Sequence, residues 1–334
     1  MQLSIIIVNY KSPQLVLNCL QSIYAETKQI SFEVIVVDNA SGDNSREVIL
    51  PEYPSVKWID MTYNSGFARG NNEGIRQSQS PVVLLLNADT IVEKNAIENT
   101  YLEFMNSDGA ACGLQLLNSD GTPQISGNYA MSGGLNYLLP LPYLGNVVKW
   151  LGQLFKVNKP NLPVAIGKVE VDWINGAFLM VKKSAIDKVG LMDEDFFLFS
   201  EEAEWCSRLK KVGKLYIFGN QHIIHLQGET TNEVLQTSGK GYYDLYSRKG
   251  RQIMISNFVR IRKQFGVFWF LLIFLIYFLG ILFFPLGVLV EKIFTLNHST
   301  FHWLQVKGYI VNMFKAMSLL THIVRNRPYF YKVI

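Results

Sequence analysis

The 334-residue chain has only three cysteines, Cys19, Cys112 and Cys206, widely spaced and each in an apolar or mixed context. No two stand at the spacing of a metal pair or a disulfide framework, which points to a reducing compartment. Residues 1–244 also lack the interleaved basic residues of a nucleic-acid groove. Acids, in turn, are scarce further on: from Leu245 to Ile334 twelve Lys/Arg stand against Glu291 alone. That tail carries +11 and the body −7. An acidic body with a basic, apolar tail fits attachment to an anionic membrane and argues against nucleic acid as a partner. The N-terminus has no charged segment ahead of the apolar run Leu3–Val8, and that run is too short for a signal peptide, so it reads as a buried strand. No internal repeat and no low-complexity segment is present.

The hydrophobic content of 49% and mean hydropathy of +0.14 are high for a soluble enzyme. The length allows roughly two domains or one large α/β unit. Over the first 110 residues, short apolar runs alternate with helical patterns. Strands are predicted at Leu3–Val8, Phe32–Val37, Val56–Ile59 and Val82–Leu86, with a helix capped by Ser12 and opened by Pro13, and another from about Asn71. Continuous apolar strands separated by helices predict an α/β fold with a mainly parallel sheet covered on both faces. In such sheets ligands bind beyond the carboxyl ends of the strands, where this sequence puts Asn9, Asp38 and Asp89.

Residues 113–170 show no clean period and read as an irregular insertion with a short helix near Leu144–Phe155. Strand character resumes at Val169–Ile174 and Ala177–Val181, and Lys214–Phe218 with His222–His225 reads as a final strand pair. Val267 to Val290 is a run of about 24 uncharged residues, long enough to cross a bilayer of about 30 Å. Gly280 and Pro285 interrupt it, and Lys and Arg flank both ends, which favours a hairpin slightly over a single crossing. Beyond it, Trp303, Val306, Ile310, Met313, Met317, Leu320 and Val324 recur at three- and four-residue steps. A helix packed on the protein's own core explains them; given the basic tail, a helix in the membrane interface is preferred.

Three groups of residues carry chemistry. Glu201, Glu202 and Glu204 lie within four positions, framed by Phe196, Phe197, Phe199 and Trp205 and followed by Arg208. Like charges this close favour a proton acceptor or a cation site, although a solvated acidic helix face shows the same pattern. Asp89, directly after an apolar strand, together with His225 and diphosphate oxygens could hold Mg²⁺ or Mn²⁺. A helix N-cap for Asp89 and a core histidine for His225 are the plainer alternatives. The loop Asn64-Ser65-Gly66-Phe67-Ala68-Arg69-Gly70-Asn71-Asn72 sets glycines and an arginine ahead of a helix, as a phosphate cradle does, and a tight polar turn would look alike.

Taken together, Ser4–Tyr10, Val37–Ser41, Asn64–Asn72, Leu86–Thr90, Asn175-Gly176-Ala177, the acidic cluster and His225 resemble, in order, the family 2 inverting glycosyltransferases of GT-A fold. Within that family the resemblance leans toward bacterial rhamnosyltransferases of surface polysaccharide synthesis. The resemblance implies a GT-A domain at 1–240, with a nucleotide-binding half at 1–112 and an acceptor half at 113–240. A membrane-associated helical region follows at 241–334. It implies donor contacts from Val8, Asn9, Asp38, Asn64, Gly66, Arg69 and Asn72, a divalent cation (Mn or Mg) on Asp89 and His225, and Glu202 as catalytic base. Two departures stand out: the metal motif is thinned to Asn87-Ala88-Asp89, and the base is Glu where the family has Asp, so Glu201 competes for the role.

The activity expected is single, inverting transfer of one sugar, with rhamnose as the candidate. The donor is a nucleotide-sugar and the acceptor a glycan, polyprenyl-diphosphate-linked, at the cytoplasmic face of a bacterial inner membrane. The main alternative is a membrane-anchored nucleotide-sugar-binding scaffold without catalysis. A sugar nucleotidyltransferase would need a Gly-rich, basic loop after the first strand, and Asn9-Tyr10-Lys11-Ser12-Pro13 is not one. A processive polymer synthase would bring several membrane helices and a Gln-x-x-Arg-Trp motif, and both are lacking.

Overall fold

The structure, a computed structural model, describes residues 1–129, 135–157, 161–226, 244–296 and 298–334. They fall into two compact units: Met1–Met131, Pro160–Phe197 and Glu201–Val234 form the first, and Ser132–Lys159, Leu198–Ser200 and Leu235–Ile334 the second.

The first unit is built on strands β1 (Leu3–Asn9), β2 (Phe32–Asp38), β3 (Lys57–Asp60), β4 (Val82–Leu86), β5 (Thr90–Val92) and β6 (Gly109–Leu117). After them come β7 (Gly127–Asn128), β8 (Asn161–Leu162), β9 (Lys168–Val171), β10 (Trp173–Ile174), β11 (Phe178–Lys182) and β12 (Lys214–His225). Nine of these form one sheet in the order β3-β2-β1-β4-β11-β6-β12-β5, with β9 also on β12, while β10-β7-β8 make a small second sheet. In the large sheet β1–β4, β6 and β12 run one way and β5, β9 and β11 the other, so the mainly parallel α/β sheet is borne out.

Alternation along β1 assigns the two faces. Leu3, Ile5 and Ile7 join Val16, Leu20 and Ile23 of the helix Pro13–Glu26 and Ile97, Tyr101 and Phe104 of the helix Ala96–Met105 in the main core. Ile6 and Val8 point the other way, onto the helix Gly66–Gln77. A Cβ at Gly70 would lie 3.1 Å from Val8, and one at Gly74 only 2.4 Å from Ile6. Spaced four apart on one helical face, these glycines let the helix settle onto the sheet. Helices therefore cover both faces.

Several expectations need correction. The helix expected from about Asn71 begins at Gly66, five residues earlier, so most of the polar loop is helix. Ser12 occupies the N-cap position but donates its hydroxyl to the Tyr10 carbonyl and caps nothing. The stretch after residue 112 belongs partly to a buried strand, β6, whose Gly-Ala-Ala-Cys start gives no apolar signal. A side chain at Gly109 would run into Tyr216, and one at Gly113 into Ile174 and Ile217, which explains the smallness at those two positions. Lys214–His225 is one strand, not a pair, with its register shifting between Phe218 and His222. None of the three cysteines is in a disulfide, as expected, and all are buried.

In the second unit, the helix Arg248–Phe294 is long and apolar enough to cross a membrane. Its one break lies at Gly266 (φ +88°, ψ 176°), and it continues unbroken past Gly280 and Pro285 to Phe294. No hairpin therefore interrupts 267–290. The helices Trp303–Ser318 and Leu320–Arg325 pack on it with Val306, Tyr309, Met313, Ala316, Leu319 and Ile323 buried. Of the stripe expected to face a membrane, Val306 and Met313 are buried against protein, while Trp303 and Met317 are exposed. The core-packing alternative thus accounts for its centre.

Candidate active site

The carboxyl ends of β1, β2 and β4 gather the polar residues. Asn9 and Asp38 are register partners at the ends of β1 and β2. Asn9 donates its amide to Asp38 Oδ1 at 2.7 Å, and Ser41 donates both its backbone N–H (3.0 Å) and its hydroxyl (2.5 Å) to the same carboxylate. The buried charge is thereby met by three donors, as burial requires. The adjoining Asn39 accepts from Ser65 N–H and Ser65 Oγ, both at 2.8 Å, and donates to Asn64 Oδ1 and to the Gly66 carbonyl. This pins the start of the helix Gly66–Gln77 beside β2. Gly66 has φ +79°, and a Cβ there would sit 2.1 Å from the Phe197 carbonyl, so only glycine fits.

Of the remaining expected donor contacts, Val8 lies under Gly70. Arg69 donates to the Glu194 carbonyl (3.0 Å) and to Tyr63 Oη (2.7 Å), which fixes its guanidinium. Asn72 is fully buried and clamps Met192 through both its N–H and its carbonyl, at 3.0 and 2.9 Å. Its geometry is that of a brace between two segments.

Asp89 follows β4 and leads into the short strand β5, so it does not cap a helix. Because β5 pairs antiparallel with β12, His225 stands opposite Thr90, and its Nε2 comes 3.4 Å from Asp89 Oδ1 and 3.4 Å from Asn87 Nδ2. Both side chains are buried. The histidine is held from behind by Gln124, a residue that no neighbouring motif marks. Gln124 spends its amide N–H groups on the Leu117 carbonyl, Asn118 Oδ1 and the His225 carbonyl, leaving Oε1 as an acceptor 2.9 Å from His225 Nδ1. In the neutral ring this acceptor places the proton on Nδ1 and turns the Nε2 lone pair toward the Asp89 carboxylate. Two electron-rich atoms turned toward each other fit a shared cation, and an oxygen with an imidazole nitrogen is a donor set that Mn²⁺ accepts. Among the described residues no group of three or more His, Cys, Asp or Glu could hold an ion alone. Further ligands would come from diphosphate oxygens.

The acidic helix Glu201–Leu209 completes the arrangement. Its three glutamates are all buried, at 3%, 8% and 6% exposure, so a solvated face is excluded. Glu204 forms a bidentate pair with Arg208 (2.8 and 2.7 Å), and Arg208 also ties down the carbonyls of Val189 and Leu191, a structural assignment. Glu202 extends over Gly176: a Cβ there would touch its Cγ at 3.5 Å and the Phe67 ring at 3.7 Å. Gly176 adjoins Ala177, whose carbonyl accepts from Asn87 N–H at 3.0 Å. Glu202 thus lies in van der Waals reach of Gly176, which is one residue from the Ala177 carbonyl bonded to Asn87, and Asn87 in turn adjoins the Asp89–His225 pair. Burial pushes the Cys19 thiol, which touches Thr90 nearby, up to about 12, so it is no nucleophile.

Residues 4–166 match the model of glycosyl transferase family 2. The low-salt glycan biosynthesis hexosyltransferase Agl10 of Haloferax volcanii is 28% identical over 264 residues, spanning 76% of this chain and 75% of that protein. The poly-beta-1,6-N-acetyl-D-glucosamine synthase of Staphylococcus epidermidis is 26% identical over 175 residues, 52% of this chain but only 38% of the synthase. Among solved structures, GalNAc-T7 with UDP, GalNAc and Mn²⁺ superposes with a TM-score of 0.50 at 15% identity, covering 81% of this chain and 56% of that one. S. aureus TarS 1-349 in complex with UDP-GlcNAc gives 0.49 at 15% identity, covering 78% and 67%.

Proposed function

We propose that this chain is a family 2 glycosyltransferase and that it transfers one sugar with inversion from a nucleoside-diphosphate donor to a hydroxyl of a cell-surface glycan. The observation that carries the reading is Glu202, buried over Gly176 at the strand ends that also bear Asp38, Asp89 and His225. In this reading Val8, Asn9, Asp38, Asn64, Gly66 and Asn72 shape the base and ribose end of the site, and Arg69 neutralises phosphate. The parts before and after residue 112 serve as donor and acceptor halves.

Glu202 removes the proton from the acceptor hydroxyl as its oxygen bonds to the anomeric carbon. The bond from that carbon to the diphosphate oxygen breaks on the opposite face, and the electron pair leaves with the nucleoside diphosphate. Asp89 and His225 would hold a divalent cation, which supplies positive charge to the departing diphosphate. Glu204, paired with Arg208, stays outside the chemistry, and Glu201 is the competing candidate for the base. The sugar we favour is rhamnose. The acceptor we favour is carried on a polyprenyl diphosphate at the cytoplasmic face of a bacterial membrane, because the +11 tail and the helix Arg248–Phe294 suit that surface.

The test is calorimetric titration of the detergent-supported protein with UDP, dTDP and GDP, with and without Mn²⁺, alongside Glu202→Gln. Metal-dependent binding of one nucleotide, kept in a variant that no longer transfers sugar, is the expected result. Full transfer by Glu202→Gln would remove Glu202 from the mechanism, and absence of nucleotide binding in folded protein would favour the scaffold alternative.

A further inference from the structure

The helix Leu144–Leu154 in the second unit buries almost nothing of itself. Six of its eleven residues are Leu, Val or Trp, yet only Gly145 is buried. Leu144, Val147, Trp150 and Leu154 follow one another at three- and four-residue steps and are all exposed, Trp150 at 59%. Phe155 and Val157, just beyond the helix, are exposed at 72% and 67%. An eleven-residue helix is marginal in water unless a face of it is packed, and an open apolar stripe of this kind marks a contact surface.

Two observations identify what covers it. The first is continuity. Tyr143, immediately before the helix, has φ +60° and lays its ring on Phe284, Gly287 and Phe301, while its hydroxyl donates to Glu291 Oε2 at 2.7 Å. The stripe therefore starts beside the last turns of the long apolar helix, whose Leu282, Phe283, Leu286, Ile293 and Phe294 are themselves between 53% and 83% exposed. The second is charge. No acid occurs between Asp120 and Glu170, while Lys149 lies on the helix and Lys156 just after it, both exposed. Apolar residues on one side, lysine on the other and aromatic rings at the rim are the makeup of an interfacial helix.

We propose that Leu144–Leu154 lies in the headgroup layer of an anionic bilayer. Val147, Trp150 and Leu154 enter the acyl boundary and Lys149 and Lys156 remain at the lipid phosphates. The proposal rests on the reading of Arg248–Phe294 as a membrane element. It adds a second, separate contact, moored to that helix through Tyr143.

The test uses the full-length protein reconstituted into vesicles of phosphatidylcholine with phosphatidylglycerol. Trp150→Cys is labelled with an environment-sensitive dye, and Leu282→Cys on the long helix serves as the second probe. The three native cysteines are buried, so the dye goes to the introduced position. Blue-shifted emission at position 150, lost to a lipid-borne quencher, is the expected result. If position 282 is quenched by lipid but 150 is not, this proposal falls and the membrane reading of the long helix stands. If neither is quenched, that reading falls first. A blue shift at 150 that rises with protein concentration in detergent, without lipid, would assign the stripe to a second copy of the chain and overturn the proposal.

Discussion

The two units are both rich in apolar residues and dispose them in opposite ways. In the first, the strands turn Ile5, Ile7, Leu84 and Phe178 fully inward, and the polar residues left at the strand ends bond to one another across the sheet. In the second, Phe268, Leu282, Phe294, Leu296 and Leu304 stand between 68% and 89% exposed. The first unit follows the rule for a protein in water, where apolar burial drives folding and leaves polar groups to make a site at its margin. The second obeys that rule only where helix meets helix, and elsewhere leaves apolar side chains uncovered, the feature on which the proposed membrane contact rests. Single polar changes should therefore damage chemistry in the first unit and attachment in the second.

The sharpest way to break this contrast is Glu202→Gln. Removing the proposed base should lower turnover by about 10²–10⁴-fold with nucleotide affinity retained, read by steady-state transfer and calorimetry. Leu282→Ser, by comparison, should leave turnover in detergent unchanged while weakening retention on vesicles. If the two variants cost activity equally, the division of labour is wrong. Next in size is Gln124→Leu. Without the acceptor behind Nδ1 the His225 ring loses its fixed tautomer, and Mn²⁺ affinity in the presence of nucleoside diphosphate should fall about 10–100-fold. Unchanged Mn²⁺ binding would separate His225 from the metal. Third, Gly74→Ala should destabilise the protein by about 1–3 kcal/mol in thermal melts, because the new methyl meets the buried Ile6 at 2.4 Å. On an open helix the same change would gain about 1 kcal/mol, so the sign itself reports the packing.

How much of this the sequence disclosed depends on the range of the interaction. Asp38, Asp89, Glu202 and His225 stood out because each is a charged or polar side chain bordering an apolar run, a signal carried by neighbours in the chain. Gln124 was invisible for the opposite reason: its partner lies 101 residues away, and nothing beside it marks it. β6 carries no strand signal because its start is made of small residues, of which Gly113 is dictated by Ile174 and Ile217 and Gly109 by Tyr216 and Phe104, so composition hides a central strand. The helix start at Gly66 was set by Asn39, 27 residues earlier, and not by local propensity. For Leu144–Leu154 the sequence suggests a short helix without a clean period, and an apolar stripe reads alike whether protein or lipid covers it.

The smallest effect expected separates a brace from a catalytic group within the first unit. Glu194 accepts from Arg76 and Asn72, next to the carbonyl that holds Arg69. Desolvation pushes its carboxyl up, but the hydrogen bonds from Arg76 and Asn72 and the positive charge of Arg76 outweigh this and hold the pKa below the ordinary 4.5. A carboxyl whose pKa is lower folded than unfolded adds stability above the unfolded value, and that gain disappears as pH falls through the folded one. The protein should therefore lose thermal stability below about pH 4.5 in part through this group. Since both partners are nearly half exposed, the share is at most about 1 kcal/mol. Glu194→Gln should flatten that part of the acid limb and leave the melting temperature near pH 7 slightly lower. An acid limb identical to that of the unmodified protein would mean that Asn72 is held by Met192 alone.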